Sequence, residues 1–519
     1  MSNSRHRKSA VLTMMVMGCT LISRILGFVR TAVIGALFGA GGVADVINLV
    51  FSIPNNLRKL LAEGALSTAF IPELSKQLVD DPSRKSAIQL VKSILGLQLI
   101  IILPILAVST FYSAQAVKIF ENFADPAKNE LSAVLFRWTM PYLLFISINA
   151  IMMAVHNTHG RFFIPAVTPI VFSLCVIGSL VVGNAAWGAK AIAYGVLAGG
   201  LAQVLVQYPS YRKLRYRLIP SLNFSNDSFK GVMGKWAPML LTSSLFAVNT
   251  QIAMLLASFL PDKSASAISY AIVFYQLPFG IFSASITTVL YPKMSRQAVY
   301  KETDSLKSSL GFGYRNLWAL LIPSAMVMMV LGEPIIAVAF QRGAFSRPDT
   351  ILTARVLFAY SIGMPFVGLF NLTQRAFYAL GEVRKPFICA LLTVAADIIL
   401  SLVFIFSFGG DSESLAWANS LAFIFGAVLQ YLLIRHAVGF SLIGTTGLTF
   451  LKTLAANAIG LLAIHGAFRI MGTQWWHGGS SWTALFTLIT VFLTSALIIL
   501  GMYILMRVEV VSILFKRKQ

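Results

Sequence analysis

The stretch VLTMMVMGCTLISRILGFVRTAVIGALF, residues 11–38, decides the fold class of this chain. About 20 consecutive apolar residues suffice for a helix to cross the hydrocarbon core of a bilayer, and this stretch is longer. Only Arg24 and Arg30 place a charge inside it. Similar apolar stretches recur down to the C-terminus. We therefore predict an all-α, polytopic membrane protein and not a set of soluble domains.

The composition of the whole chain supports this class. Its 519 residues are 57% hydrophobic and only 12% charged, with a mean hydropathy of +0.78, whereas soluble domains carry about 25% charged residues. We read about fourteen spans, near residues 11–38, 43–71, 93–116, 131–155, 163–183, 189–209, 233–260, 266–291, 311–331, 352–380, 387–408, 414–434, 453–471 and 482–506.

These spans predict three parts. Residues 1–210 and 211–436 form two six-helix lobes, and residues 437–519 add two C-terminal helices and a basic tail. Internal duplication is common in transporters. The division depends on span counting and on the long basic connection near residue 220, because no residue-level repeat is visible.

The net charge of +22 indicates orientation and not nucleic-acid binding. Most Lys and Arg residues fall in alternate connections, on the side that also holds both termini. Cytoplasmic loops of membrane proteins carry such an excess, so we predict that both termini are cytoplasmic. The basic loops are expected to face solvent or lipid headgroups, and no nucleic-acid partner is expected.

Several chemical classes lack a signature. The three cysteines, Cys19, Cys175 and Cys389, are too scattered for a disulfide framework or a metal site. The chain has no phosphate-cradling G-x-x-x-x-G-K-[ST] loop and no His/Asp/Glu cluster with catalytic spacing at a membrane boundary. The sequence therefore favours a transporter over an enzyme. Such a transporter is expected to need no cofactor, and the energy for transport would come from ion gradients, membrane potential or the substrate gradient.

Basic residues inside the first two spans carry the strongest functional signal: Arg24, Arg30 and Arg58. An arginine at the bilayer centre costs from about 3 to more than about 10 kcal/mol unless it faces a wet cavity or a partner. Asp45 and Glu63 lie in the same two segments, but Lys59 adds a fourth cation. The surplus predicts a cationic chamber that holds an anion. A salt-bridge network between two helices is the alternative.

The second span contains IPNNLRKLLAEGALS, residues 53–67. Pro54 removes one helical hydrogen bond, and Asn55 is placed to serve the freed carbonyls or a ligand. The guanidinium of Arg58 offers a bidentate fork that suits phosphate better than an ammonium does. We therefore count Asn55 and Arg58 among the candidate ligand contacts.

A second buried charge lies in TVAADIILS, residues 393–401. Asp397 is mid-span and has no basic neighbour in sequence. It is protonated, paired with a distant helix, or bound to a small cation. Thr393 lies one turn earlier on the same face and offers an oxygen, the ligand that hard cations prefer.

Six segments resemble the MurJ (MviN) family of lipid II flippases, within the multidrug/oligosaccharidyl-lipid/polysaccharide exporter superfamily. They are SRILGFVR (23–30), FGAGxxAD (38–45), PNNLRKLLAEGALSTAFIP (54–72), GRFFIPAVTP (160–169), FQRGAFSxxD (340–349) and FYALGEVRKP (377–386). The resemblance covers nearly the whole chain, and the fourteen-span topology of that family agrees with our count.

The resemblance implies a multi-pass protein of the bacterial cytoplasmic (inner) membrane that binds lipid II. Such a protein moves the undecaprenyl-pyrophosphate-linked peptidoglycan precursor to the outer leaflet by rocking its two lobes, and a monomer is compatible with this. Arg24, Arg30 and Arg58 would contact the diphosphate, while Asp45 and Glu63 shape the chamber. The two C-terminal helices would form a groove for the lipid tail.

The resemblance also supports a coupling site for sodium or a proton at Asp397 and Thr393, with Asn249 as a further partner. The chain departs from the family pattern in its eighth span, where Ile272, Val273 and Gln276 replace charged positions. Thr31 likewise stands where an acidic residue is common. The C-terminal lobe therefore contributes less charge than the family pattern implies.

Two other transporters remain as alternatives. One exports a different polyprenyl-pyrophosphate glycan, such as an O-antigen or capsule unit. The other is a cation-coupled drug exporter, which would not need three buried arginines.

Overall fold

The computed structural model describes residues 2–61, 65–472, 474–479 and 481–509. Within those ranges, the description excludes the side chains of 2–13, 60–61, 65–68, 237–239, 241–243 and 471. Across the described residues every regular element is helical, which confirms the predicted all-α class. Glu63 lies outside the described residues.

The chain divides into two compact units. The first comprises Met1–Ile34 and Gly41–Asp262, and the second comprises Gly35–Ala40 and Lys263–Gln519. Helix α1 therefore contributes its last turn to the second unit. The three-part division predicted from the sequence stays a prediction.

The helices of the first unit range in length from 5 to 37 residues. They are α1 (Ser2–Phe38), α2 (Val43–Leu61), α3 (Ala65–Asp80), α4 (Lys85–Phe111), α5 (Ser113–Val117), α6 (Pro126–Thr139), α7 (Tyr142–Thr158), α8 (Phe163–Trp187), α9 (Lys190–Lys213) and α10 (Asp227–Ser258). Its apolar core is built from α3, α4, α7 and α9 together with the start of α10.

The second unit is built around the long helices α13 and α14. Its helices are α11 (Ser264–Pro278), α12 (Ala284–Val299), α13 (Thr303–Phe340), α14 (Arg347–Ala379), α15 (Arg384–Phe406), α16 (Ser412–Val438), α17 (Thr445–Met471) and α18 (Trp482–Leu505). A π-helical turn, Phe279–Ser283, separates α11 from α12. Helices α17 and α18 pack against α13, where the Tyr503 hydroxyl donates to the Ala319 carbonyl at 3.0 Å.

Twelve helical segments in the described part of the chain are long and apolar enough to cross a membrane. The protein is therefore a multi-pass membrane protein. Each of the fourteen predicted spans overlaps a helix. The two beyond the twelve correspond to α2 with α3 and to α10, so fourteen is an approximate count.

Three helices end in a residue with left-handed backbone that is basic and exposed. Arg215 follows α9 with φ 67°, Lys301 follows α12 with φ 56°, and Arg507 follows α18 with φ 52°. Glycine is the usual residue at this position because it has no Cβ. A cation there instead complements the partial negative charge of the helix C-terminus.

Candidate functional site

Arg30 lies where α1 meets α2 and α8 of the first unit. Its guanidinium carbon is 5.3 Å from the ring centroid of Phe51 on α2 and 5.6 Å from that of Phe172 on α8. Tyr142 on α7 packs against Phe172, with ring centroids 5.1 Å apart. Cation–π contacts of this kind favour a fixed guanidinium, more so where water is excluded. Arg30 is therefore half-buried and held by aromatic rings.

Arg58 lies in the last turn of α2 and is oriented by its own helix. Its Nη2 and Nε donate to Oδ1 of Asn55 at 2.9 and 3.2 Å. Phe51, which contacts Arg30, lies seven residues before Arg58 and so on the same face of α2, close enough for the charge of Arg58 to act unfavourably on Arg30. The structure thus brings together three of the predicted contact residues: Arg30, Arg58 and Asn55.

Arg24 is exposed on α1. Six residues separate it from Arg30, which corresponds to about 9 Å along a helix. Within the described ranges no carboxylate is in salt-bridge distance of Arg24 or Arg30. Lys59 is exposed beside Arg58. Arg58 and Lys59 are thus the basic residues of the last turn of α2.

Asp45 lies in the first turn of α2, about 20 Å along the helix from Arg58. Its carboxylate is buried and accepts from Nζ of Lys128 on α6 at 3.1 Å. Lys128 also pairs with Asp262, which accepts from the backbone N–H of Gly42 at 2.8 Å. The structure therefore places Asp45 in a separate ion cluster, Asp45–Lys128–Asp262.

Asp262 follows α10 and lies outside the spans. Burial opposes its ionisation, but the hydrogen bonds from Lys128 and from Gly42 N–H together hold the pKa of Asp262 below its ordinary value. The carboxylate is thus ionised at neutral pH. Sequence analysis missed Lys128 and Asp262 because Asp45 and Lys128 are 83 residues apart, beyond any helical spacing.

A polar link between α2 and α10 was also missed. Oε1 of Gln251 accepts from the Ser52 hydroxyl at 3.3 Å and from Nδ2 of Asn56 at 3.1 Å. These residues lie between the two ends of α2. The link fixes the face of α2 next to the one that carries Asn55.

The candidate coupling residues belong to different units. Thr393 and Asp397 are buried on α15 of the second unit, whereas Asn249 is buried on α10 of the first. Nδ2 of Asn419 on α16 donates to Asp397 at 2.7 Å, and the Thr393 hydroxyl donates to the Cys389 carbonyl at 2.7 Å. Sequence analysis missed Asn419. The described residues contain no group of three or more His, Cys, Asp or Glu that is arranged to hold a metal ion.

The eighth predicted span corresponds to α11 followed by the π-helical turn and α12. Helix α11 carries no charged residue, and Ile272, Val273 and Gln276 lie within it. The departure from the family pattern in this span is therefore accommodated in an ordinary helix.

Comparison with known proteins decides the family. A family profile described as lipid II flippase MurJ matches residues 34–486. The chain belongs to the MurJ family. Curated relatives include the probable lipid II flippase MurJ of Borreliella burgdorferi, 30% identical over 497 residues and 96% of each chain. That of Thermotoga maritima is 33% identical and covers 87% of this chain and 89% of its own.

Solved structures agree with this family. A lipid II flippase MurJ in an inward closed conformation superposes with a TM-score of 0.78 at 26% identity, over 95% of this chain and 99% of that one. An inward-facing multidrug resistance MATE family transporter of the MOP superfamily reaches 0.66 at 12% identity, over 82% and 98% of the two chains. The second likeness shows a shared fold alone.

Proposed function

We propose that this protein is a lipid II flippase. It moves the undecaprenyl-pyrophosphate-linked peptidoglycan precursor from the inner to the outer leaflet of a bacterial cytoplasmic membrane, for cell-wall synthesis. Family membership supports this proposal. The observation that carries it in this chain is the proximity of Arg30 and Arg58 within membrane helices, where Arg30 has no carboxylate partner among the described residues.

The two arginines suit a diphosphate in complementary ways. Asn55 binds Nε and Nη2 of Arg58, which orients the planar guanidinium before a ligand arrives. Phe51 and Phe172 do the same for Arg30. Charge-assisted bonds from such forks to phosphate oxygens are strong, and prior orientation lowers the entropy lost on binding. The exposed Arg24 would attract the headgroup from a distance.

The acidic residues have indirect roles in this proposal. Asp45 fixes the far end of α2 through Lys128, and the role of Glu63 in shaping the chamber stays a prediction. Neither carboxylate is needed for direct contact with an anionic substrate. Their effect is to set the position of α2 and the local electrostatic potential.

Transport is proposed to follow alternating access of two six-helix lobes, residues 1–210 and 211–436. The C-terminal part, residues 437–519, would hold the lipid tail against α17 and α18. Both termini are placed in the cytoplasm by the distribution of basic residues. The protein performs no covalent chemistry, needs no cofactor, contacts membrane lipids and is compatible with a monomer.

We propose coupling to sodium or a proton at Asp397 and Thr393 of the second unit; Asn249 belongs to the first unit, and its role stays a prediction. Oxygen ligands suit a hard cation. The amide nitrogen of Asn419 donates a hydrogen bond to the Asp397 carboxylate, so a cation would compete with this hydrogen bond. The coupling step is then an exchange of Asn419 for an ion or a proton.

Complementation in a bacterium depleted of its own flippase tests the function directly. The wild-type chain is expected to restore growth and to restore lipid II in the outer leaflet, measured by its accessibility to an external modifying enzyme. Arg30→Ala and Arg58→Ala should insert normally and fail in both assays.

The same strains separate the alternatives. The wild-type chain could insert and restore an O-antigen or capsule flippase mutant but not the strain depleted of its lipid II flippase. That result would favour the exporter of a different polyprenyl-pyrophosphate glycan over this proposal. Rescue by both arginine variants would remove the anion site from the mechanism.

A further inference from the structure

Glu121 is a buried acid that the proposed transport site does not use. It lies in the connection between α5 and α6, and its side chain and backbone are fully buried, at 0% exposure. Neither carboxylate oxygen has a partner with hydrogen-bond geometry among the described residues, and neither does the hydroxyl of nearby Ser132. A charged carboxylate in such a place is strongly disfavoured, whereas a protonated one is tolerated.

The cation beside Glu121 is already engaged. Lys128 pairs with Asp45 at 3.1 Å and also with Asp262, and its ammonium lies 4.9 Å from the ring centroid of Phe123. One ammonium thus serves two carboxylates. A third negative charge at Glu121 would have to compete for it.

Among the described residues, no cation lies within salt-bridge distance of Glu121. Helix α6 packs against α2, α4, α5 and α9. Apart from the half-buried Arg58 and Lys92, the remaining charged residues on these helices and in the connection that holds Glu121 are exposed: Lys59, Lys85, Lys118, Asp125, Glu130, Arg137, Lys190, Arg212 and Lys213. Nε of Arg137 donates to the Thr110 carbonyl at 2.8 Å. Of these charged groups, Lys128 is the one whose charge favours ionisation of Glu121.

We propose that Glu121 is a proton-binding group whose deprotonation draws Lys128 away from Asp45 and Asp262. The proton passes to bulk solvent, and the local charge becomes more negative by one. The inference concerns the Asp45–Lys128–Asp262 cluster and does not depend on which substrate is transported.

The pKa of Glu121 agrees with this geometry. Burial raises it to about 8, and the smaller effects of the Ser132 hydroxyl and Lys128 lower it only in part. The group therefore titrates just above neutrality. Above that pH the hydrogen bond from Gly42 to Asp262 and the pairing of Asp45 should loosen, because both depend on the position of Lys128.

Infrared difference spectra of the purified full chain, titrated from pH 6 to pH 10, test proton binding. The expected result is a protonated-carboxyl C=O band that disappears with a midpoint near pH 8. It should be absent from Glu121→Gln and from Glu121→Leu, which removes the titratable group in a second way. The exposed acid Glu130 supplies the control, Glu130→Gln, which should keep the band.

A band that persists in both Glu121 variants, or a wild-type titration complete below pH 6, overturns the proposal. Hydrogen–deuterium exchange of the peptide containing Gly42 then tests the effect on Lys128. At pH 9 it should be about three-fold faster in wild type than in Glu121→Gln, with equal rates at pH 6. Equal rates at both pH values would refute the movement of Lys128. Neither measurement uses lipid II, so their failure leaves the flippase proposal standing.

Discussion

The two ends of α2 carry charge in opposite ways. Near its C-terminus, Arg58 approaches Arg30 and an exposed Lys59. Near its N-terminus, Asp45 is buried against Lys128, which also pairs with Asp262. Charges that satisfy one another hold helices together. An arginine such as Arg30, held between aromatic rings with no carboxylate in salt-bridge distance among the described residues, is instead suited to an anionic ligand.

The largest expected effect comes from the cationic end. Arg58→Ala should reduce lipid II externalisation about 100-fold, because the site loses a charged, bidentate contact to phosphate. Arg58→Lys keeps the charge and should lose about ten-fold. The externalisation assay in flippase-depleted cells measures both, with membrane insertion checked in parallel. Equal activity of the Ala and Lys variants would show that charge at this position is irrelevant.

Substitutions at the N-terminal end of α2, where Asp45 pairs with Lys128, should change the free energy of unfolding. Lys128→Met leaves Asp45 buried without its cation, at a cost of about 3–5 kcal/mol in the free energy of unfolding. The double variant Lys128→Met with Asp45→Asn removes the uncompensated charge and should recover much of this loss. Thermal unfolding in detergent measures it. A double variant no more stable than the single one would contradict a compensating ion pair.

Glu121 predicts a dependence of stability on pH. Its folded-state pKa, about 8, exceeds the unfolded value, so the folded protein binds more protons and loses stability as the pH rises from about 4.5 to about 8. The loss between pH 6 and pH 8 is about 2 kcal/mol. Glu121→Gln should flatten this part of the unfolding profile, while Glu130→Gln should leave it unchanged. A wild-type profile that rises with pH across this range would have the wrong sign.

Asp397 should give the smallest change. Asp397→Asn keeps a polar group beside Asn419 but removes the charge, so the dependence of transport on sodium or proton gradients should weaken by a factor of about 2–10. Flipping in proteoliposomes with imposed gradients measures this. Dependence that remains at the wild-type level would remove Asp397 from coupling.

Hydropathy was sufficient to predict the helical class, because water-free surroundings leave few other ways to satisfy the backbone. It did not predict where helices break. The predicted span 131–155 is two helices that meet near Pro141, and the span 266–291 contains the π-helical turn after Pro278. A proline removes one donor, but whether the helix ends there depends on packing that a hydropathy profile does not contain.

The sequence suggested the residues of the proposed anion site but not the side chains that support them. Arg30 and Arg58 were predicted because charged residues in apolar stretches are rare, and Asn55 because it follows Pro54. Phe51 and Phe172 could not be distinguished from other apolar residues of a membrane helix. Lys128 was equally hidden, since it lies 83 residues from Asp45 and near a loop where lysine is ordinary.

The basic residues that follow α9, α12 and α18 bear on any attempt to engineer this protein. Replacing Arg215, Lys301 or Arg507 by glycine would relieve a backbone penalty of about 1 kcal/mol at each position. The same substitution would also remove a charged side chain, whose transfer into the hydrocarbon core is costly and therefore opposes movement of the helix along its axis. A search for thermostable variants would therefore favour substitutions that leave these three helices less firmly fixed along the bilayer normal.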